Sequence, residues 1–317
     1  MKGVKGVKAL PWQRRKLAVV LSGGGMMGAF QAGVIDSLAR AGIQPDLIVG
    51  TSVGSLNGAF WAFNPGAEVG DRLHGIWRRW PREVMPARRL ALLRQIVAWP
   101  GYLLGTHGLM RMIEKEFGPV QIEQASIPLA AVAADAKTGE RVVLTEGELK
   151  RALLASTAVP GVFPPVELGG RFLIDGGIVA NADLDAAVER GATDVIAIDL
   201  AGAASQPAPK DLPRLLETTV SLSLAAQTNL RLRSIPRRVR VALLRPLLER
   251  RPTLTDASLA EHLFELGQVA GADFARRHVD GLKRVRRGSY VFSEAESREV
   301  AAQRAPAELS AQPAAGA

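Results

Sequence analysis

The chain has no cysteine in 317 residues. This excludes a disulfide framework, thiolate catalysis and any Cys-ligated zinc or iron–sulfur site. It does not fix a compartment, since a chain without cysteine suits every redox poise. Histidine is scarce: His74, His107, His262 and His278 are the only four. No run approaches the ~18 apolar residues of a membrane span. The apolar stretch Leu17–Leu21 behind the basic N-terminus is too short for a signal-peptide core. These absences predict a cytoplasmic protein, at most peripheral on the inner face of a membrane. No D-x-D-x-D-G loop points to calcium. No helix-turn-helix, zinc-finger or RRM pattern points to nucleic acid.

What is present fits a globular chain. Hydrophobic residues make up 47% and charged residues 22%, near the soluble average. A chain of this length can bury roughly 75% of its unfolded surface. The net charge of +9 is localised. Residues 1–20 carry six basic and no acidic groups, while 72–111 and 231–251 each carry eight Arg and one Glu. The remaining 236 residues are therefore net acidic, at −11. Two of the basic stretches mix Arg with large apolar residues. These are Trp77, Trp80, Trp99, Leu103 and Leu104 in one, and Leu232, Ile235, Leu243, Leu244 and Leu247 in the other. That mixture suits an anionic membrane surface, and 72–117 is expected to be a helical insertion forming a lipid-facing cap. Ordinary helix packing is the competing account of the same tryptophans.

Periodicity predicts a mostly parallel α/β sheet flanked by helices. Leu17–Leu21 is a continuous apolar run, as expected of a buried parallel strand. Phe30, Val34, Leu38 and Ala41 share a helix face that Gly42 ends. Leu47–Val49 reads as a second strand and Ser55–Phe63 as a second helix. Further strands are expected at Leu129–Ala134, Arg141–Leu144, Phe172–Asp175 and Val195–Leu200. One domain is expected over 16–285, with a flexible basic arm at 1–15 and a low-complexity, disordered tail at 286–317.

Chemistry concentrates at three points. Gly50-Thr51-Ser52-Val53-Gly54 matches G-x-S-x-G and lies between a strand and a helix, the context in which the serine hydroxyl stands exposed on a sharp turn. The glycines at 50 and 54 answer the crowding of that turn. Gly23-Gly24-Gly25-Met26-Met27-Gly28 also joins a strand to a helix, where unobstructed backbone amides can converge on an anion. A right-handed crossover sets the two turns side by side. Candidate oxyanion donors are thus the amides of Gly24 and Gly25, with that of Val53 beside them. Asp175-Gly176-Gly177 ends a strand at the same sheet edge, so Asp175 is the candidate proton acceptor for Ser52. A triad using His262 or His278 remains open on sequence grounds. Gly23-x-Gly25-x-x-Gly28 is also a dinucleotide fingerprint, but its acidic residue belongs at the end of the second strand. Asp46 precedes that strand. No cofactor or metal is expected.

These three motifs, in this order, resemble the patatin-like phospholipase family over Leu21–Phe63 and Ala155–Leu200, with weaker likeness over 240–280. The resemblance implies a lipid acyl hydrolase acting on a phospholipid or another fatty acyl ester. It implies a Ser–Asp dyad of Ser52 and Asp175, the whole loop from Gly23 to Gly28 as oxyanion hole, so that Gly23 and Gly28 join Gly24 and Gly25, and no metal or histidine. Two residues depart from the pattern: Met27 stands where the family often has Arg or Lys, and Asn181-Ala182-Asp183 stands where Asn-x-Pro is common. An acyltransferase on the same dyad and a non-catalytic membrane-binding protein are the alternatives. Head group, positional preference and oligomeric state are not legible.

Overall fold

The computed structural model describes residues 15–84, 105–201, 212–249, 252, 257–281 and 283–297. The basic arm before Arg15 falls outside them, as do Trp99, Leu103, Leu104 and the 300–317 segment. β1 (Leu17–Leu21) lies at the centre, with all five residues buried. Leu17, Val19 and Leu21 face one apolar layer, and Ala18 and Val20 face the other. A strand covered on both faces has no polar side to show, which explains the unbroken apolar run.

α1 (Gly28–Arg40) leads to β2 (Leu47–Thr51), parallel to β1 with Leu21 opposite Gly50. α2 (Val53–Phe63), α3 (Val69–Glu83) and α4 (His107–Phe117) follow. Next come β3 (Leu129–Asp135), β4 (Arg141–Leu144), α5 (Leu149–Ser156), β5 (Val166–Leu168) and β6 (Arg171–Asp175). The short α6 (Gly177–Ala180) and α7 (Leu184–Glu189) precede β7 (Asp194–Ile198), α8 (Leu212–Ser234) and β8 (Arg240–Leu247). α9 (Ala260–His278), a small β9–β10 ribbon (Val279–Asp280, Arg284–Val285) and β11 (Gly288–Ser293) complete the order. The main sheet runs β11-β8-β7-β1-β2-β3-β6-β5, with β4 also on β3. Pairing is parallel from β11 to β3 and antiparallel for β4, β5 and β6. This is the expected mostly parallel α/β architecture in three layers.

α1 and α9 cross with their backbones nearly touching. A Cβ on Gly33 would lie 2.0 Å from the Phe264 carbonyl oxygen, and one on Gly267 2.0 Å from that of Phe30. Only hydrogen fits at either position.

Three expectations change. The domain does not end at 285: β11 pairs in parallel with β8 and buries Phe292 against Phe30, ring centroids 5.9 Å apart. The 231–251 stretch is not a membrane surface along its length. Its core is β8, where Leu243 and Leu244 are buried inside the sheet. Arg240 makes a bidentate pair with buried Asp194 (2.7 and 2.8 Å), and Arg245 reaches buried Asp199 (2.7 Å). Finally, Trp77 belongs to the core, not to a cap. It is 2% exposed, and its Nε1 donates to Asn57 Oδ1 at 3.1 Å. Trp80 stacks on it at 5.1 Å.

Candidate active site

Ser52 sits between β2 and α2 with φ 56° and ψ −128°. Among the described residues it is the only non-glycine at positive φ, a conformation costing of order 1–3 kcal/mol. Its neighbours explain the glycines. A Cβ on Gly50 would meet the Gly54 carbonyl oxygen at 2.5 Å, and one on Gly54 the Leu21 carbonyl oxygen at 2.2 Å. The turn is clamped from below: Ser52 N–H donates to Ser156 Oγ (3.0 Å), and Ser156 Oγ–H donates to the Val132 carbonyl (2.7 Å).

Because β1 and β2 are neighbours, the glycine loop borders Ser52. A Cβ on Gly23 would lie 3.0 Å from Ser52 Cβ. The loop is pinned by Gln31 Nε2 donating to the Ser22 carbonyl (3.2 Å), by Asn57 Nδ2 donating to the Gly28 carbonyl (2.9 Å), and by Leu200 N–H donating to Ser22 Oγ (2.8 Å). No described hydrogen bond uses the N–H of Gly23, Gly24, Gly25 or Val53. Gly28 differs from expectation. Its N–H is taken by the Gly25 and Met26 carbonyls as the helix begins, so it is not a free donor. Its constraint is space: a Cβ there would lie 2.4 Å from both Trp77 and Val53 side-chain atoms.

Asp175 reaches the same place on an antiparallel strand. β3 outruns β2, Thr51 pairing with Val132, and β6 runs back along the overhang until Asp175 stands opposite Ala133. Gly176 lets the chain pass β3, since a Cβ there would lie 2.4 Å from the Val132 carbonyl oxygen. Gly177 N–H donates to Asp175 Oδ1 at 2.7 Å. Burial pushes the Asp175 pKa up to about 6, against smaller downward pulls from the Ser52 hydroxyl and the Gly177 amide. The hydroxyl is thus near enough to favour the carboxylate. No hydrogen bond of good geometry closes between them, however, and Oδ2 is buried without a partner. Contacts of this kind commonly tighten only when substrate is bound.

Sequence reasoning missed the residues that hold this arrangement: Gln31, Asn57 and Ser156 are buried polar residues on helices, with no motif to flag them. Asn181 was visible only as a departure from the family pattern. It is 1% exposed, both amide atoms lack partners, and its Oδ1 lies 2.9 Å from a Cβ built on Gly23.

Three of the four histidines have other partners. His74 bonds Glu261 (2.7 Å), His262 bonds Glu294 (3.0 Å), and His278 stacks on Phe274. His107 is exposed at the start of α4. Asp46 accepts from Leu17 N–H (2.9 Å) and pairs with Lys283, at the opposite end of β1 from the glycine loop. Among the described residues no cluster of acidic or histidine side chains could hold a metal ion.

An apolar cavity of about 60 Å³ opens beside Gly25 and Val53, walled by Met26, Leu56, Trp80, Leu109, Val162 and Phe163. A larger cleft of about 490 Å³ is lined by Arg141, Asp183, Asp185 and Arg231 among others, and by neither Ser52 nor Asp175. The smaller cavity is likewise lined by neither of them, but it touches the serine turn through Val53.

A strained serine turn, backbone amides with no described partner and a buried carboxylate thus lie together at one edge of a parallel sheet covered on both faces. The patatin-like phospholipase model matches residues 19–188, more than half the chain, and the chain belongs to that family. It is 33% identical over 193 residues to an uncharacterized NTE family protein of Mycobacterium tuberculosis, covering 61% of this chain and 51% of that one. It is 33% identical over 187 residues to human patatin-like phospholipase domain-containing protein 6, covering 58% of this chain and 13% of that one. The chain thus spans about half the length of the mycobacterial relative and a small part of the human one. Among solved structures, VipD from Legionella pneumophila aligns with 83% of this chain and 67% of its own, at 13% identity and a TM-score of 0.38. No helix among the described residues is long and apolar enough to cross a membrane.

Proposed function

We propose that this protein is a serine lipid acyl hydrolase whose dyad is Ser52 and Asp175. The observation that carries the reading is the pairing of the strained Ser52 turn with a buried carboxylate whose Oδ2 has no other partner. In the first step Asp175 Oδ2 takes the Ser52 proton as Oγ attacks an ester carbonyl carbon. The amides of Gly24, Gly25 and Val53 hold the tetrahedral oxyanion. The carbonyl re-forms, the alcohol leaves with the proton from Asp175, and an acyl ester remains on Ser52. Water then repeats the sequence, giving up a proton to Asp175 and releasing the fatty acid.

A pKa of about 6 suits both halves. The carboxylate is ionised at neutral pH, yet it is a better proton acceptor than an ordinary Asp, because basicity rises with pKa. The cavity at Gly25 and Val53 is apolar, with room for the first carbons of an acyl chain, in keeping with a phospholipid or other fatty acyl ester as substrate. Family membership supports the same substrate class.

The test is release of fatty acid from phospholipids and of alcohol from a short-chain soluble ester, by wild type and Ser52→Ala. Turnover that disappears in Ser52→Ala supports the reading. Acyl transfer to an added alcohol outpacing release to water would replace hydrolase with acyltransferase. Absence of both, in folded protein, would favour a binding protein on the same fold.

A further inference from the structure

We infer that α8, together with Ile178 beside the catalytic loop, is the face by which this protein docks on an anionic lipid surface. The inference deepens the proposed function and rests on it for the identity of the occupant. α8 is 23 residues long, yet among its described side chains only Thr228 is buried. Eight large apolar side chains are exposed among the described residues, and five lie here: Leu215, Val220, Leu222 and Leu230 on α8, and Ile178 on α6. The two helices are joined by Gln227 Nε2 donating to the Ile178 carbonyl at 3.1 Å. α6 starts at Gly177, two residues after Asp175, so Ile178 lies close along the chain to the proposed base. Scattered exposed leucines are ordinary, but their concentration on one helix, together with an exposed Ile178 on the helix bonded to it, marks an interaction surface.

Charge selects the occupant. From residue 218 to residue 248 the sequence contains six arginines and no acidic residue. Arg240 and Arg245 are consumed by Asp194 and Asp199, and Arg231 lies 3.2 Å from Asp185. Arg233, Arg237 and Arg238 are exposed at the end of α8 and the turn beyond it, with no ion pair among the described residues. A helix with exposed leucines and an arginine cluster at one end fits a bilayer bearing negative head groups. A two-fold dimer through the same face would bring these arginines toward their own copies and lacks that complementarity. The membrane-facing role expected of Trp77 and of β8 is thus transferred to a different element, because those residues are buried.

The experiment uses full-length Ser52→Ala protein, which cannot consume the vesicles. Co-sedimentation is measured with phosphatidylcholine vesicles, with and without phosphatidylglycerol. Binding is expected only when phosphatidylglycerol is present, and it should weaken as salt rises. Arg233→Gln/Arg237→Gln/Arg238→Gln is expected to weaken binding on the order of 100-fold, roughly fivefold per arginine. Leu222→Ser/Leu230→Ser is expected to abolish it. Both sets, in the Ser52 background, should hydrolyse a short-chain soluble ester at the wild-type rate and melt at the wild-type temperature. Unchanged binding by these variants would overturn the inference, as would absence of wild-type binding to anionic vesicles. So would a dimer in light scattering that the leucine substitutions dissociate. Vesicle binding that follows these substitutions in a protein without ester hydrolysis would support the docking face while refuting the hydrolase reading.

Discussion

At Asp175, burying a charge and keeping a base ionised pull against each other. Its pKa rises from 3.8 to about 6 on folding, so the native state holds the proton more tightly than the unfolded chain. Below pH about 4 both states are protonated and the group contributes nothing. As pH rises from about 4 to about 6 stability falls, by on the order of 3 kcal/mol in total, and it levels off above that. Asp175→Asn is therefore expected to be inactive yet more stable than wild type at pH 7, with the gain fading toward pH 4. Urea unfolding at several pH values measures this, and an Asn variant less stable at pH 7 would contradict it. In parallel, kcat/KM on a soluble ester should fall with one-proton slope below pH about 6; a profile flat through that region would assign the base elsewhere. Ser52 carries strain of another kind, since its φ of 56° favours glycine. Ser52→Gly should be inactive and about 1 kcal/mol more stable than Ser52→Ala, as denaturant midpoints would reveal. Ser52, Asp175 and the glycine loop were legible in the sequence because each breaks an apolar pattern with a local motif. Ser156, Asn57 and Gln31 were not, because their partners are 104 residues away in the first case and 26 to 29 or 9 in the others. Nothing in their own neighbourhood betrays those contacts.

Among the elements, β1, α1, β2 and α2 follow from sequence almost to the residue. Apolar periodicity there agrees with Gly punctuation and both faces of the sheet are covered. β8 escaped because its two arginines read as surface charge. They answer Asp194 at the start of β7 and Asp199 just past its end, each 46 residues away. Asp194 is fully buried and its partner half-buried, so the two halves of the pair are unequal. Arg240→Ala strands a carboxylate in the core and is expected to cost about 3–5 kcal/mol. Asp194→Ala leaves a guanidinium with a path to water and should cost less. Equal losses in chemical denaturation would show that the burial asymmetry does not govern the pair. The antiparallel arrival of β6 was hidden too, since a strand of five residues carries no mark of its direction. Gly54 gives the sharpest element-scale prediction. A methyl group 2.2 Å from the Leu21 carbonyl oxygen cannot be accommodated unless α2 moves off β1. Gly54→Ala should therefore lose activity and several kcal/mol together, and a fully stable, active variant would mean that the turn is looser than its geometry.

For the molecule as a whole, composition indicated a globular chain and periodicity an α/β one, as the strand order around β1 and the patatin-like family match bear out. Net charge alone did not reveal where the basic surplus acts. Part of it is spent inside the sheet, part is exposed beyond α8, and the N-terminal portion lies outside the described residues. The same arrangement gathers Ser52, Asp175 and the free amides at one edge of the sheet with an apolar cavity alongside, and the central claim is that these act together on an ester. The most direct measurement is intact-mass labelling with a fluorophosphonate on wild type, Ser52→Ala and Asp175→Asn. The account predicts one adduct on wild type, none on Ser52→Ala, and labelling slowed by at least about a hundredfold in Asp175→Asn, in line with loss of a general base. Full-rate labelling of Asp175→Asn, or a rate that depends instead on His262 or His278, would contradict it.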